Sequence, residues 1–110
     1  MNQNTLPVYM IVKLDVKNFE DYMARYGMPV LAQLEEYGAE VLAASPQPQV
    51  VEGIWESNWT VIIRFPSMES AHTFYNSDEY APFMSLRIDV LTNDGTALFV
   101  EVFNPESLGG

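Results

Sequence analysis

Beyond Arg25 this chain carries only two basic residues, Arg64 and Arg87, set among twelve carboxylates. Arg64 sits inside an apolar, strand-like run, Trp59-Thr60-Val61-Ile62-Ile63-Arg64-Phe65, and Arg87 follows a helix-like stretch rich in aromatics. A guanidinium stays charged at any relevant pH and can hold a carboxylate through two parallel hydrogen bonds. Each arginine therefore either locks an internal carboxylate in place or presents a site to an anion.

Other chemistry is poorly supplied. His72 is the only histidine. On a helix from Met68 it falls beside the apolar positions Met68, Ala71, Phe74 and Tyr75, as a partly exposed surface residue, and spacing identifies no carboxylate to orient it as a base. A single imidazole does not make a transition-metal site, and a haem pocket would need a proximal histidine in a large apolar cavity, so neither metal nor cofactor is expected. The acidic pairs Glu20-Asp21, Glu35-Glu36 and Asp78-Glu79 fall on helix starts or polar faces, where solvation and the helix dipole account for them. There is no cysteine, which excludes disulfides, thiolate catalysis and cysteine-held zinc or iron–sulfur centres. No Gly-x-Ser-x-Gly elbow or glycine-rich phosphate loop occurs, and Ser67 and Ser77 read as helix caps.

The elements that would carry these residues follow from periodicity. Residues 8–16 alternate as a strand, with Met10, Val12, Leu14 and Val16 on one face. Asn18 is a helix cap ahead of Phe19, Tyr22, Met23 and Tyr26 at helical spacing. Gly27-Met28-Pro29 is expected to break that helix, and a second piece runs from Pro29 to Tyr37 with Gly38 as its left-handed terminator. Ala39–Ser45 reads as a strand, interrupted by Pro46 and Pro48, that Val50-Val51-Glu52 could resume. Trp59–Phe65 is the clearest strand. Helices follow over Met68–Tyr75 and about Glu79–Leu91, with Pro82 disturbing the first turn of the latter. Asn93-Asp94-Gly95 signals a turn, and Thr96–Phe103 is the last strand. Residues 1–6 and 104–110 are expected to be frayed tails around an ordered core of about 8–103.

The order β-α-β-β-α-β with right-handed crossovers predicts a single α+β domain over 1–110. It is a ferredoxin-like, four-stranded antiparallel sheet with helices on one face. The helix-covered face is assigned Met10/Val12/Leu14/Val16, Val61/Ile63/Phe65 and Leu98/Val100/Val102. The opposite face then carries Tyr9, Ile11 and Lys13; Thr60, Ile62 and Arg64; and Ala97, Phe99, Glu101 and Phe103. Lys13 and Glu101 are expected to pair across neighbouring strands. That second face is too apolar to lie bare, which predicts a homodimer through the open sheet face. Trp55 and Trp59 are expected to anchor the dimer or lid a barrel mouth.

A net charge of −10 argues against nucleic acid and against anionic membrane surfaces as partners. No apolar run reaches the length of a membrane helix and the N-terminus does not read as a signal peptide, so a cytoplasmic protein is expected.

The run Glu52-Gly53, Val61-Ile62-Ile63-Arg64-Phe65-Pro66-Ser67, Ala71, Tyr75, Ser77, Glu79-Tyr80 and Leu86-Arg87 resembles the domain-of-unknown-function family 1330. Tyr9-Met10-Ile11-Val12 and Tyr22…Tyr26…Pro29 fit it as well, so the likeness covers roughly 8–103. The family belongs to the dimeric α+β barrel superfamily, whose members include cofactor-free monooxygenases, muconolactone-isomerase-like enzymes, haem-dependent chlorite dismutases and ligand-binding regulators. The resemblance implies a homodimer whose two sheets enclose a barrel. It also marks Glu52, Tyr75, Tyr80 and Arg87 as positions the family tends to keep.

Those four residues, with Arg64, are the candidate ligand-binding set. Tyr80 and Arg87 lie two helical turns apart and can share a face. Tyrosines beside an arginine can grip a small carboxylate or enolate, and Glu52 could move a proton. The competing account is an Arg87–Glu52 salt bridge pinning helix to strand. Two functions stay open: a dimeric module that binds a small organic molecule, anionic or neutral, or merely assembles; and a cofactor-independent, monooxygenase- or isomerase-like enzyme on a small, partly apolar anion.

Overall fold

The computed structural model describes residues 6–108; the expected tail over 1–6 lies, but for Leu6, outside them. Four strands, β1 (Val8–Val16), β2 (Glu40–Ser45), β3 (Trp59–Phe65) and β4 (Thr92–Glu101), form one antiparallel sheet in the order β2-β3-β1-β4. Helices α1 (Phe19–Tyr22) and α2 (Met28–Glu36) connect β1 to β2, and α3 (Met68–Tyr75) and α4 (Ala81–Leu86) connect β3 to β4. This is the ferredoxin-like α+β arrangement. No helix among the described residues is long and apolar enough to cross a membrane.

The core lies between the helices and one sheet face. Val8, Met10, Val12, Leu14 and Val16 are all buried, against Ile63 and Phe65 of β3 and Leu34, Ala71 and Phe74 of the helices. Burying each large apolar side chain contributes roughly 1.5–3 kcal/mol. The caps are as expected: Asn18 Oδ1 accepts from Asp21 N at 2.9 Å, and Ser67 Oγ from Ser70 N at 3.0 Å. Gly38 terminates α2 at φ 74°, where a side chain would be strained.

Several expectations need correction. Gly27-Met28-Pro29 does not break the first helix. The chain stays right-handed through a π-helical turn, Met23–Gly27, closed by Met28 N–H bonding to the Met23 carbonyl. Proline has no N–H and its ring crowds the carbonyl four residues back; a widened turn relieves that crowding. Likewise α4 does not run regularly to Leu91 but passes into a second π-helical turn, Arg87–Leu91.

Asn93-Asp94-Gly95 makes no turn between elements. These residues lie inside β4, where Val16 pairs with Thr92 and Asp15 with Asp94, so Asn93 is an extra residue. The local polar chemistry that favours turns also favours such a bulge. Its side chain donates to Asp15 Oδ2 at 3.2 Å.

The faces of β4 are the reverse of those expected. Met10 is paired with Phe99, Ile11 with Leu98 and Tyr9 with Val100. Phe99 therefore sits on the helix side, against Phe65, His72 and Tyr75 at ring separations of 6.2, 5.2 and 6.1 Å. Leu98 and Val100 lie on the open face, 46% and 41% exposed. Lys13 is opposite Thr96 and Glu101 opposite Val8, so the expected Lys13–Glu101 pair does not form. Lys13 Nζ instead lies 4.9 Å from the Trp55 ring, whose indole N–H donates to Thr60. Residues 50–52 form no strand, and Pro105–Leu108, in the expected tail, forms the short helix α5.

Candidate functional site

Two helical connections bring a cluster of tyrosines around Arg87. Tyr26 comes from the first π-helical turn and Arg87 begins the second. Tyr80 stands just before α4, where Ser77 Oγ accepts its backbone N–H at 3.1 Å and donates to the Phe74 carbonyl at 2.8 Å. The buried Thr92 hydroxyl donates to the Arg87 carbonyl at 2.7 Å, fixing the backbone where the guanidinium departs. Gly95 leaves room for Leu14, whose Cδ2 would stand 2.8 Å from a Cβ there, while Arg87 Nη1 lies 3.7 Å from the same point, in ordinary contact.

Tyr80 is 1% exposed and packs on Phe74 and Tyr75, with ring centroids 4.5 and 5.6 Å away. Its hydroxyl lies 2.5 Å from that of Tyr26. Arg87 is 6% exposed. Its guanidinium carbon is 5.9 Å from the centre of the Tyr26 ring, a cation–π arrangement, and the Tyr80 hydroxyl is within hydrogen-bonding reach.

No carboxylate answers this charge. Among the described residues the only ion pair is Arg25–Asp21 at 3.1 Å, on the surface of the first helix. The expected Arg87–Glu52 bridge is therefore absent. Glu52 is exposed in the loop between β2 and β3. Burial works against the Arg87 charge, but Tyr26, Tyr80 and Tyr75 outweigh it, and the guanidinium holds its proton more firmly than usual. Burial also pushes the Tyr22 and Tyr26 hydroxyls above the ordinary tyrosine value of 10.0. The cluster is a fixed cation packed among tyrosines whose oxygens can accept from it.

The tyrosines close one end of a cavity of about 280 Å³ between the sheet and the first helical connection. Its floor is Met10, Val12, Val61 and Ile63, and its roof Val30 and Leu34. A bulge in β2 at Leu42 turns both Val41 and Ala44 toward it. Trp59 forms a side wall, edge-on to Phe19 at 4.8 Å; it faces the cavity rather than the open sheet face. The exposed side chains Met28, Leu31 and Val41 mark the mouth. Tyr22, Tyr26 and Tyr80 supply the hydroxyls of an otherwise apolar wall.

Of the five residues expected to bind a ligand, the structure brings Arg87, Tyr80 and Tyr75 together. Glu52 and Arg64 lie elsewhere. Arg64 is on the open sheet face, opposite Tyr9 and Glu40, with no carboxylate in salt-bridge range among the described residues. Tyr22 and Tyr26 were not among the expected set. Their four-residue spacing was visible, but such a pair reads as packing until Arg87 is found beside it. His72 is exposed, as expected. No three carboxylates or imidazoles converge as a metal-ligand set among the described residues.

Solved structures reproduce the fold. A protein of unknown function from Rhodopseudomonas palustris matches with a TM-score of 0.74 at 15% identity, over 94% of this chain and 88% of its own. A candidate antibiotic biosynthesis monooxygenase from Caulobacter crescentus matches at 0.62 and 10% identity, over 91% and 92%. A protein from Thermobifida fusca, described as dimeric, ferredoxin-like and of unknown function, matches at 0.53 and 7% identity, over 93% and 96%. At these identities the likeness is one of fold. Among curated proteins nothing matches at a significant level. Residues 7–103 match a family model across nearly the whole domain, and the chain belongs to the family described as Domain of unknown function (DUF1330).

Proposed function

We propose that this protein binds a small, mostly apolar organic molecule in the cavity between the sheet and the first helical connection. One observation carries this reading: an apolar cavity of about 280 Å³ ends at the paired Tyr26 and Tyr80 hydroxyls with the buried, carboxylate-free Arg87 behind them. Ligand sites combine apolar walls with a few placed polar groups in this way. The volume suits a molecule of one ring rather than several, since about 150 Å³ already holds benzene.

Binding is preferred to catalysis because the cavity lining contains neither carboxylate nor imidazole, and Glu52, the expected proton mover, is not part of it. The second reading, a cofactor-independent enzyme of monooxygenase or isomerase type, is favoured by the same hydroxyls, which would stabilise an enolate as readily as hold a ligand.

The working unit in this reading is a cytoplasmic homodimer joined through the open sheet face. Tyr9, Ile11, Ile62, Leu98 and Val100 share that face, which corrected register makes more apolar than expected. An exposed apolar sheet face of this kind marks an association surface, and the Thermobifida fusca neighbour is described as dimeric.

A methyl-resolved NMR titration with 4-nitrotoluene tests the site. Methyl signals of Met10, Val12, Val30 and Leu34 should move together, and Ala44→Trp, which fills the cavity from its edge strand, should abolish the response. Shifts confined to other surfaces, or none at millimolar probe, would rule this binding site out.

A further inference from the structure

We propose that the cavity is an oxyanion site, in which the Tyr26–Tyr80 hydroxyl pair, with Tyr22 beside it, donates hydrogen bonds to the single oxygen of a one-ring phenolate or enolate. This rests on the binding reading above and names its ligand class.

What the cluster can offer a ligand follows from what each group is able to give. A guanidinium carries only donors, so in the Arg87–Tyr80 contact the tyrosine oxygen accepts. Tyr80 is sealed from solvent, and its own proton needs an acceptor. Among the described residues the oxygen within reach is Tyr26 Oη, 2.5 Å away. The bond between the two hydroxyls uses one of their two protons, and either can donate it. Both rings line the cavity, Tyr26 being the more exposed of the two. The pair's other proton is left to the ligand space. Arg87 behind the pair extends the polarising effect of a buried cation to the cavity wall.

Tyr22 repeats the logic one helical turn away. Its hydroxyl contacts Trp59, whose indole N–H only donates, so the Tyr22 proton is also uncommitted. The Tyr22 and Tyr26 rings lie side by side, with centroids 5.2 Å apart. Two uncommitted protons satisfy one phenolate oxygen. A carboxylate would present about four lone-pair sites to them and leave part of its charge against apolar wall, which is costly. Arg87 itself does not line the cavity, so it offers no fork to a carboxylate. The positive charge, unanswered by any carboxylate among the described residues of so acidic a chain, is the complement such an anion requires.

The test uses three probes of like size: 4-nitrophenol, whose ionised form is read by its visible absorbance, 4-nitrotoluene and 4-nitrobenzoate. In the wild-type protein the phenolate should bind about tenfold tighter than the neutral phenol, lowering the apparent pKa of bound probe by about one unit. It should also bind more tightly than 4-nitrobenzoate. Tyr26→Phe should abolish most of the phenolate preference while retaining 4-nitrotoluene; Tyr22→Phe should reduce it. Circular dichroism of each variant checks its fold. A wild-type preference for neutral phenol or for benzoate overturns the oxyanion assignment and leaves the binding site standing. A phenolate preference that survives in both variants overturns it too. If neither 4-nitrophenol nor 4-nitrotoluene enters the cavity, the binding reading fails and this inference with it.

Discussion

The hydroxyls of Tyr26 and Tyr80 meet at 2.5 Å across 54 residues of sequence, joining the two helical connections on the covered side of the sheet. Their bond is the link between a cavity wall and a buried cation, and its energetics are measurable. Tyr80→Phe removes the acceptor of Arg87 and the hydrogen-bond partner of Tyr26 together. It should cost about 2 kcal/mol, as expected for a hydrogen bond to a charged group. Tyr26→Phe, half-buried at the cavity, should cost about 1 kcal/mol. In urea denaturation the double variant should be less destabilised than the two losses added, by about 1 kcal/mol. Strict additivity would mean that the two hydroxyls do not act as a pair.

Arg87 separates a structural role from a ligand-holding one. A buried guanidinium without a carboxylate is costly to desolvate, and an apolar side chain of similar length relieves that cost. Arg87→Met should therefore leave stability within about 1 kcal/mol of wild type, or raise it, while removing the preference for anionic probes. A loss above about 3 kcal/mol in equilibrium unfolding would make Arg87 a pillar of the fold instead.

Alkali should loosen the protein through the covered tyrosines. Tyr22 and Tyr26 ionise above the ordinary value of 10.0 because burial disfavours their anions. Below pH 10 both folded and unfolded chains keep these protons, so the stability they contribute is fully present. Above it the unfolded chain loses protons that the folded chain retains, and stability falls as pH rises. The melting temperature should drop from about pH 10 upward, less steeply in Tyr22→Phe. An identical alkaline profile in that variant would show that Tyr22 titrates normally.

The corrected faces of β4 give opposite expectations for adjacent residues. Phe99→Ala removes a ring packed on Phe65, His72 and Tyr75 and should cost about 2–3 kcal/mol. Leu98→Asp lies on the open face and should barely alter the fold of one chain. It should instead convert a sedimenting species of about twice the 12.5 kDa chain mass into a single chain. Wild-type protein sedimenting as a single chain at micromolar concentration would remove the basis for the face-to-face pairing.

The architecture was legible because local signals agreed with one another. The alternation along residues 8–16, the caps at Asn18, Ser67 and Ser77, and the positive φ at Gly38 all read correctly. The faces of β4 did not, because both sheet faces are apolar: Leu98/Val100 and Ala97/Phe99 suit a covered position almost equally, and a one-residue choice of register exchanges them. Half of the site was legible for a similar reason. Tyr75, Tyr80 and Arg87 share one region of sequence, and helical spacing gathers them. Charge counting suggested a carboxylate partner for Arg87, but partners of a buried group are set by what the fold seals around it, here Tyr26 and Tyr80. Nothing in the local sequence of Tyr26 announces an arginine sixty-one positions away.

The two widened helical turns, Met23–Gly27 and Arg87–Leu91, bear on how such a cluster tolerates change in length. Each turn holds one residue more than a regular helix would use. Removing one residue from either turn would restore a regular helix and re-aim the side chains within the turn, swinging Tyr26 or Arg87 out of register with Tyr80. Insertions and deletions that surface loops would absorb are therefore excluded here, and a shorter, smoother helix would come at the expense of the cation's address.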